Sequence, residues 1–338
     1  MRTGRSSLSE ANLPTASCRT AEGRSVLKPN CLCTCLSLAA LLSLAFGALQ
    51  ADVTAEAFRV RDPFVLADET TQTYYLYNST TLGEGTPGVS VRTSRDLVLW
   101  SEPTRVMDAP AGIPLVWAPE VHRYRGAYWM FVTLKEAPDP KRPVIRMGPE
   151  GWSPNLTGDC NSWHATWIYR AERPTGPFRP VSGRPITPPG WLALDGTLAV
   201  EDGRPYLVFT HDWAQVADGT IELAPLTGDL TALAAPPKTI IRASAVAPNT
   251  RRGVTDGPFV YRSSKSGRLF VMWSTHNPNK PSGSGYCVVA SESLSGRLAG
   301  PWGNHRIISD ENGGHGMVFR TFDGRLKFAL HQPEEWGR

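Results

Sequence analysis

A short pattern recurs five times in this chain and constrains its fold more than any other feature. Each copy opens with a polar residue or Ala followed by Pro or Gly, and continues as two apolar runs on either side of a polar turn. One copy reads "DGPFVYRSSKSGRLFVMWST". The copies lie at residues 62–79, 118–134, 195–213, 256–275 and 315–333. Apolar runs of strand length around a turn, rich in Tyr, Phe, Val and Trp, predict a β-hairpin in each copy.

The segments between the hairpins are also typical of strands. Examples are "PGVSVRTSRDLVLW" at 87–100 and "SWHATWIYRAERPTGPFRPV" at 162–181. An α/β fold would require amphipathic helical patterns between its strands, and the sequence shows none. Repeats of about 60 residues of β structure, five in number, predict an all-β fold of the five-bladed β-propeller type.

The first residues of the five hairpins form the candidate functional site. In a propeller the innermost strand of each blade lines a central channel, so the residues that open these strands meet at one end of it. The opening position is occupied by Asp62, Ala118, Asp195, Asp256 and His315. The next position holds Pro63, Pro119, Gly196, Gly257 and Gly316. Any one of these Asp residues taken alone is more simply explained as a turn former. The repeated register before an apolar strand is what favours a shared site.

The first 51 residues differ from the rest of the chain. Lys28 precedes an uncharged apolar stretch at 31–46, and small residues such as Ala48 follow. This pattern predicts an unstructured leader with a signal peptide at 1–51, whose apolar part is too short to remain as a membrane span. We therefore expect an exported protein, secreted or periplasmic, whose mature part at 52–338 is the propeller and has no membrane span.

Charge and cysteine content limit which partners the protein can bind and whether it can form disulfide bonds. The formal net charge is +4, but the basic excess lies largely in the leader, and no run of Lys or Arg follows it. Nucleic acid is therefore not expected as a partner. Beyond the leader only Cys160 and Cys287 remain. They allow one disulfide, or they are two buried free thiols, and both interpretations remain open.

The five motifs, taken in order, resemble those of the glycoside hydrolase family 43 five-bladed β-propellers. The matching stretches are "RDPFVLAD", "WAPEVHRYRGAYWMFV", "LDGTLAVEDGRPYLVF", "TDGPFVYR" and "GGHGMVFRTFDGRLKFALHQP". The resemblance covers roughly residues 58–333. It implies inverting hydrolysis of arabinofuranosides, xylosides or galactans, with no required cofactor. Family members usually continue by another strand, so we expect an incomplete last blade and a less stable ring.

The resemblance also assigns roles to the residues that open the blades. Asp62 matches the general base, Asp195 the residue that raises the pKa of the acid, and Asp256 the general acid, where the family usually has Glu. His315 matches a histidine on the axis that contacts water or a bound ion such as Ca²⁺, so it is a candidate for both substrate and metal binding. Elementary chemistry agrees with this assignment. Inverting hydrolysis needs an acid for the leaving oxygen and, about 6.5–9.5 Å away, a carboxylate that activates water, and a like-charged neighbour raises the pKa of the acid.

Residues close to the blade openings are candidates for sugar binding. Trp117 and Trp191 lie just before two of the openings, where flat rings can stack on sugar faces. Glu120 lies two residues past an opening, and the period of a strand aims it the same way. It is therefore a secondary candidate for substrate contact. His211 and Asp212 end a strand, and we expect them at the far side of the propeller.

These inferences predict an exported, monomeric glycoside hydrolase of the α-L-arabinofuranosidase or β-xylosidase type. Its substrate would be an arabinofuranose- or xylose-containing plant polysaccharide or oligosaccharide. Two alternatives remain open. One is a carbohydrate-binding propeller with impaired catalysis, suggested by Asp in place of Glu at position 256. The other is a sister five-bladed glycosidase that acts on other glycans such as galactans.

Overall fold

The repeated hairpins become the innermost strands of five antiparallel sheets in the computed structural model. The structure describes residues 52–80, 85–137, 141, 163–247, 253–280 and 285–334. The predicted leader at 1–51 and Cys160 lie outside the described residues. All described residues belong to one compact unit, Gln50–Arg338. No helix among these residues is long and apolar enough to cross a bilayer.

The first four blades each have four antiparallel strands, ordered from the axis outward. Blade 1 contains β2 (Phe64–Asp68), β3 (Thr73–Thr80), β4 (Gly88–Ser94) and β6 (Thr104–Asp108). Blade 2 contains β7 (Leu115–Tyr124), β8 (Ala127–Lys135), β9 (His164–Ala171) and β10 (Arg179–Pro180). Blade 3 contains β11 (Ala193–Glu201), β12 (Arg204–His211), β13 (Thr220–Pro225) and β14 (Lys238–Arg242). Blade 4 contains β15 (Asp256–Arg262), β16 (Leu269–His276), β17 (Tyr286–Ser293) and β18 (Trp302–Ser309).

Blade 5 is smaller in the part of the chain that the structure describes. It consists of β19 (Gly314–Arg320) and β20 (Leu326–His331), and residues 335–338 lie outside the described ranges. Two short strands, β1 (Val53–Thr54) and β5 (Leu99–Trp100), pair with each other beside blade 1. The described helical elements are α1 (Trp213–Val216) and the 3₁₀ turns Ala55–Ala57 and Ala243–Ala245.

The five blades form a closed ring. Each inner strand contacts the inner strand of the next blade, and β19 of blade 5 contacts β2 of blade 1. Aromatic packing supports this last seam, since the ring of Phe322 stacks on Tyr74 with 4.3 Å between ring centroids. The backbone N–H of Phe322 also donates to the Tyr74 hydroxyl at 2.9 Å. The two-stranded blade 5 therefore still joins the first blade to the last.

Apolar side chains fill the seams between neighbouring blades. Phe131 of blade 2 packs in one cluster with Leu207 and Phe209 of blade 3. Trp273 of blade 4, which is fully buried, packs with Val208 of blade 3. The alternation of strand residues places one face of each sheet in such a cluster, and this burial is the main stabilising contribution to the fold. Cys287 is a buried free thiol within the same region, and burial raises its pKa to about 11.

Aromatic rings from several blades contact one another in the central channel. The Phe64 ring of β2 lies 5.2 Å from the His122 ring of β7 and 6.3 Å from the Phe259 ring of β15, measured between centroids. These residues come from three different blades, so their contacts span the axis. A cavity of about 690 Å³ is lined by these three rings together with residues such as Met317 and Phe319.

Candidate active site

A distortion at the start of each inner strand sets the geometry of the site. In blades 2 to 5 the ladder between the first two strands skips two residues near its start, which is a β-bulge. In each of these blades the first bulged residue has a positive φ and is followed by Pro or Gly. The equivalent residue of blade 1, just before β2, has the same two properties. These residues are Asp62 (49°), Ala118 (45°), Asp195 (55°), Gly257 (55°) and His315 (51°). Left-handed backbone at non-glycine residues is strained and commonly marks functional sites.

The structure corrects one member of the predicted opening position. In blade 4 the bulge residue is Gly257, and Asp256 stands one residue earlier, paired with Ser274 of β16. A Cβ atom on Gly257 would lie 2.7 Å from Cγ of the His315 ring, so no side chain fits there. The sequence analysis matched the five copies by their acidic residues. In the structure, the equivalent position in each blade is the residue that precedes Pro or Gly. In blade 4 the residue that follows is Pro258.

Three of the other bulge residues, Asp62, Asp195 and Gly257, lie around the His315 ring. His315 Nδ1 lies 3.4 Å from Asp62 Oδ1 and 3.8 Å from Asp195 Oδ2. The Gly257 N–H donates to Asp195 Oδ2 at 3.0 Å. The Asp195 N–H in turn donates to Oγ1 of Thr133 in blade 2 at 2.8 Å. Blades 1, 3, 4 and 5 therefore each supply a group to one buried cluster at the end of the channel.

Asp62 is held as a carboxylate by cations from both sides of the ring seam. His331, which ends β20, places Nδ1 3.1 Å from Asp62 Oδ1, and its Nε2 contacts Glu334. Arg61 donates to Glu334 Oε1 at 2.9 Å. Burial by itself would raise the pKa of the Asp62 carboxyl. The attraction of His315, the hydrogen bond from His331 and the charge of Arg61 outweigh burial and lower this pKa to about 2.

The pKa values of Asp195 and Asp256 are shifted in the opposite direction from that of Asp62. Burial raises the pKa of the Asp195 carboxyl well above its ordinary value, and the negative charge of Asp62 raises it further. Burial also raises the pKa of Asp256, and the neighbouring Asp195 adds to the shift. The Tyr286 hydroxyl donates to Asp256 Oδ2 at 2.5 Å and partly opposes this rise. Because two adjacent buried carboxyls resist double ionisation, this pair retains a proton under conditions where Asp62 is ionised.

Glu120 lies deeper in the channel wall than the bulge residues. Its carboxylate contacts His122 Nε2 at 3.0 Å and is almost fully buried. His122 also approaches Oγ1 of Thr197 at 3.3 Å. The negative charge of Glu120 contributes to the raised pKa of Asp195. The structure therefore ties Glu120 electrostatically to the carboxyl cluster, and a direct contact with substrate stays a prediction.

An aromatic rim borders the cluster on the side of blades 2 and 3. The Trp117 ring lies 5.6 Å from the His164 ring, and Lys135 Nζ lies 5.1 Å from the Trp117 centroid. The Trp191 ring stacks on His211 with centroids 4.0 Å apart and an interplanar angle of 9°. Both predicted Trp residues therefore lie at the same end of the propeller as the carboxyl cluster.

The expected position of His211 and Asp212 at the far side is wrong. His211 pairs with Ala193, next to the start of β11, because the second strand of a hairpin returns to the end where the first begins. Asp212 Oδ2 lies 3.0 Å from His164 Nε2. The negative charge of Asp212 contributes to the raised pKa of both Asp195 and Asp256. Asp212 is therefore a further carboxylate at the site.

The sequence analysis assigned no role at the site to several residues that contact the cluster or a residue beside it. These are His331, Glu334, Asp212, His164 and Tyr286. His331 and Asp212 could have been found, because the hairpin pattern itself places the end of the second strand beside the opening. Tyr286 begins a third strand, and the motifs carried no signal for it.

The predicted ion near His315 receives no support from a preformed ligand set. Among the residues that the structure describes, no group of three or more His, Cys, Asp or Glu side chains is arranged to hold a metal ion. His315 Nδ1 faces the Asp62 and Asp195 carboxylates. An axial ion therefore stays a prediction.

Comparisons with known proteins agree on one family. The family model described as Glycosyl hydrolases family 43 matches residues 56–338. An endo-arabinase structure from Bacteroides thetaiotaomicron is 30% identical with a TM-score of 0.69, covering 84% of this chain and 93% of that one. An endo-1,4-β-xylanase from the same organism is 22% identical, with a TM-score of 0.58 and coverage of 81% and 85%.

An α-L-arabinofuranosidase structure from Lactobacillus brevis is 18% identical, with a TM-score of 0.58 and coverage of 82% and 87%. At that identity, the likeness of the xylanase and the arabinofuranosidase extends to the fold alone. A comparison with curated proteins found no significant match.

Proposed function

The chain belongs to glycosyl hydrolases family 43, and on that premise we propose that it hydrolyses α-L-arabinofuranosyl bonds of plant polysaccharides or oligosaccharides with inversion. The choice of sugar rests on the endo-arabinase, which is 30% identical over most of both chains. The choice of mechanism rests on the carboxyl cluster. β-Xylosides and galactans are the competing substrates that the sequence left open.

The observation that carries the proposal is the opposite protonation preference of two carboxyl groups at one end of the channel. The pKa of Asp62 is lowered to about 2, whereas burial raises the pKa of Asp256. Carboxyls whose environments push their pKa values apart are suited to the base and acid roles of one reaction. Asp62 is therefore the base and Asp256 the acid.

The reaction then proceeds in one displacement. A water molecule attacks the anomeric carbon and transfers a proton to Asp62, while the bond from that carbon to the leaving oxygen breaks. Asp256 gives its proton to that oxygen, and both groups later exchange protons with solvent. Because Tyr286 donates to Asp256 Oδ2, the acidic proton belongs on Oδ1. Asp195 raises the pKa of Asp256 and is fixed by the Gly257 N–H.

A substrate panel tests the proposal. Purified protein is incubated with linear arabinan and with aryl α-L-arabinofuranoside, β-D-xyloside and galactofuranoside, and the first anomer released is followed by proton NMR. We expect arabinose-containing substrates to be hydrolysed with inversion. Retention of configuration would overturn the mechanism, and preference for the xyloside or galactofuranoside would overturn the sugar. Binding of arabinan without hydrolysis of any substrate would favour the impaired binding propeller.

Export completes the proposal. It rests on the uncharged apolar stretch at 31–46 behind Lys28. N-terminal sequencing of protein recovered outside the cytoplasm should begin after this stretch, between about residues 46 and 55. A cytoplasmic protein that keeps residues 1–40 would contradict export without affecting the proposed reaction.

A further inference from the structure

The cavity of about 690 Å³ in the central channel, here named the channel cavity, has no part in the reaction proposed above. All five blades line it, through residues that include Val65, Val121, Leu198, Val260 and Met317. It extends to the hairpin turns at 69–72 and 321–325, which lie at the opposite end of the inner strands from the bulges. Glu69, Gln72 and Val200 are exposed there, so this end is the mouth of the cavity. The volume is within the range of small-molecule sites.

Aromatic rings form a large part of the cavity wall. The lining rings are those of Phe64, Phe259, Phe319 and Phe322, from blades 1, 4 and 5. Phe64 lies 6.3 Å from Phe259 between centroids, and Phe322 stacks on Tyr74 at 4.3 Å, so these rings are held by their neighbours. Preformed aromatic rings favour a flat apolar ligand body, which packs on them without a large cost of ordering the protein.

Two exposed arginines at the mouth hydrogen-bond only to neutral groups within the described part of the chain. Arg123 Nη1 donates to Oγ1 of Thr70 at 2.9 Å. Arg320 donates through Nη1 to the Gly324 carbonyl and through Nη2 to Oγ of Ser264, both at 2.6 Å. Each guanidinium is therefore held at the turn of a neighbouring hairpin. Since a guanidinium has five N–H donors, each retains donors for a ligand.

The ionised side chains around the channel cavity carry an excess of positive charge. Glu69 is the one carboxylate residue among the described residues that line it, against the two arginines. The charge of Arg123 also acts on Asp68, but that carboxylate is buried and accepts hydrogen bonds from Tyr128 and Thr70. Charge complementarity therefore favours an anion at the mouth.

We propose that the channel cavity binds an aromatic carboxylate. The aromatic ring packs among the phenylalanines, and the carboxylate lies at the mouth in the positive field of Arg123 and Arg320. Guanidinium groups suit this role because they stay charged and donate in the geometry of a carboxylate. None of the residues of the carboxyl cluster is among the described residues that line this cavity. The inference therefore depends neither on the sugar nor on the reaction proposed above.

A matched set of three small molecules tests the proposal. Binding of 3-phenylpropionate, its neutral analogue 3-phenylpropan-1-ol and acetate is measured by saturation-transfer NMR titration of the full chain. We expect the aromatic acid to bind about fivefold more tightly than the alcohol, and acetate not to bind detectably. Raising the salt concentration from about 0.05 to 0.5 M should reduce this difference. Equal affinity for acid and alcohol, or no binding of the acid, would overturn the proposal.

Charge variants at the mouth should shift the affinity in opposite directions. Arg320→Gln should weaken binding of 3-phenylpropionate about threefold to fivefold, whereas Glu69→Gln should strengthen it about twofold. Binding of the alcohol should change in neither. Glu172→Gln is the control, because Glu172 is an exposed carboxylate outside the cavity that pairs with Arg170. All three positions are exposed, so the fold should be kept. Unchanged affinity in both Arg320→Gln and Glu69→Gln would overturn the proposal.

A filling substitution locates the ligand. Val200 lines the cavity and is 52% exposed, so Val200→Trp should obstruct the mouth without disturbing the fold. We expect it to lower the affinity for both the acid and the alcohol about tenfold. Val98→Trp is the matched control, because Val98 is 58% exposed and does not line the cavity. Full binding of 3-phenylpropionate to Val200→Trp would place the ligand elsewhere and overturn the proposal.

Discussion

Gly257 shows how a single residue adapts one blade to the site. The other four blades carry Asp62, Ala118, Asp195 and His315 at the bulge position, all with positive φ. In blade 4 the His315 ring fills the place where a side chain would point, and glycine leaves room for it. Its N–H then becomes a donor to Asp195. Blade 4 thus contributes a backbone N–H to the site at the position where the other blades carry a side chain.

Gly257→Ala should disturb both stability and catalysis. Alanine at this φ is strained, and its Cβ would lie 2.7 Å from the His315 ring, so we expect a loss of about 1–3 kcal/mol in unfolding free energy and a fall in kcat. Gly126→Ala is the matched control, because Gly126 has a φ of 81° and no neighbour near its Cβ position. Urea unfolding and hydrolysis assays compare the two. Equal effects of both substitutions on activity would show that the His315 contact is unimportant.

Asp256 is the proposed general acid, at a position where the sequence resemblance leads us to expect Glu. If it is the acid, Asp256→Ala should slow hydrolysis of substrates with poor leaving groups by about 10²–10⁴-fold. Aryl glycosides with acidic phenols need little protonation and should be nearly spared. Rates for a series of aryl arabinofuranosides of differing phenol pKa give this dependence. A uniform loss across the series, or none, would remove Asp256 from the acid role.

At the scale of elements, the sequence predicts the hairpins correctly. It does not predict which residue occupies the first bulge position of each hairpin. The copy at 118–134 corresponds to β7 and β8, and the copy at 315–333 to β19 and β20. Apolar periodicity and turn residues are local signals, so they were sufficient for these elements. The one-residue offset of Asp256 arises at the bulge of blade 4, where the His315 ring from another blade leaves no room for a side chain on Gly257. No local pattern contains that information.

The end of β20 joins blade 5 to the start of blade 1 through ion pairs. His331 binds Asp62, and Glu334 binds both His331 and Arg61. The hydrogen bonds from His331 to Asp62 and Glu334 outweigh burial and raise the pKa of His331 from 6.5 to about 9. A raised histidine pKa contributes stability that is complete below 6.5 and lost as pH rises through about 9. Asp62, lowered from 3.8 to about 2, contributes above 3.8 and loses its contribution as pH falls through about 2.

The variant His331→Gln tests this seam. We expect it to lower the free energy of unfolding on the order of 2 kcal/mol near pH 6, and the difference from wild type should shrink as pH rises from 6.5 to about 9. His305→Gln is the control, because burial lowers the pKa of His305 and its loss should not produce this pattern. Urea unfolding from pH 5 to 10 measures both. A difference for His331→Gln that stays constant over this range would contradict the ion-pair account.

At the scale of the whole molecule, the ring gathers groups that are far apart in sequence. Asp62 and His331 are separated by 269 positions and meet only because β19 packs against β2. The sequence predicted the five blades and the end of the channel where the acids converge. It could not predict the ion pairs at the seam between blades 5 and 1, because they arise from contacts between blades.

The central claim is that Asp62 is the base of an inverting hydrolysis, and Asp62→Ala tests it most directly. The variant and an Asp108→Ala control, an exposed carboxylate of the same blade, are assayed on arabinan after their folds are compared by circular dichroism. We predict a loss of about 10²–10⁴-fold for Asp62→Ala alone, with partial recovery in azide and formation of a glycosyl azide of inverted configuration. Near-normal turnover of the folded Asp62→Ala protein would contradict the account.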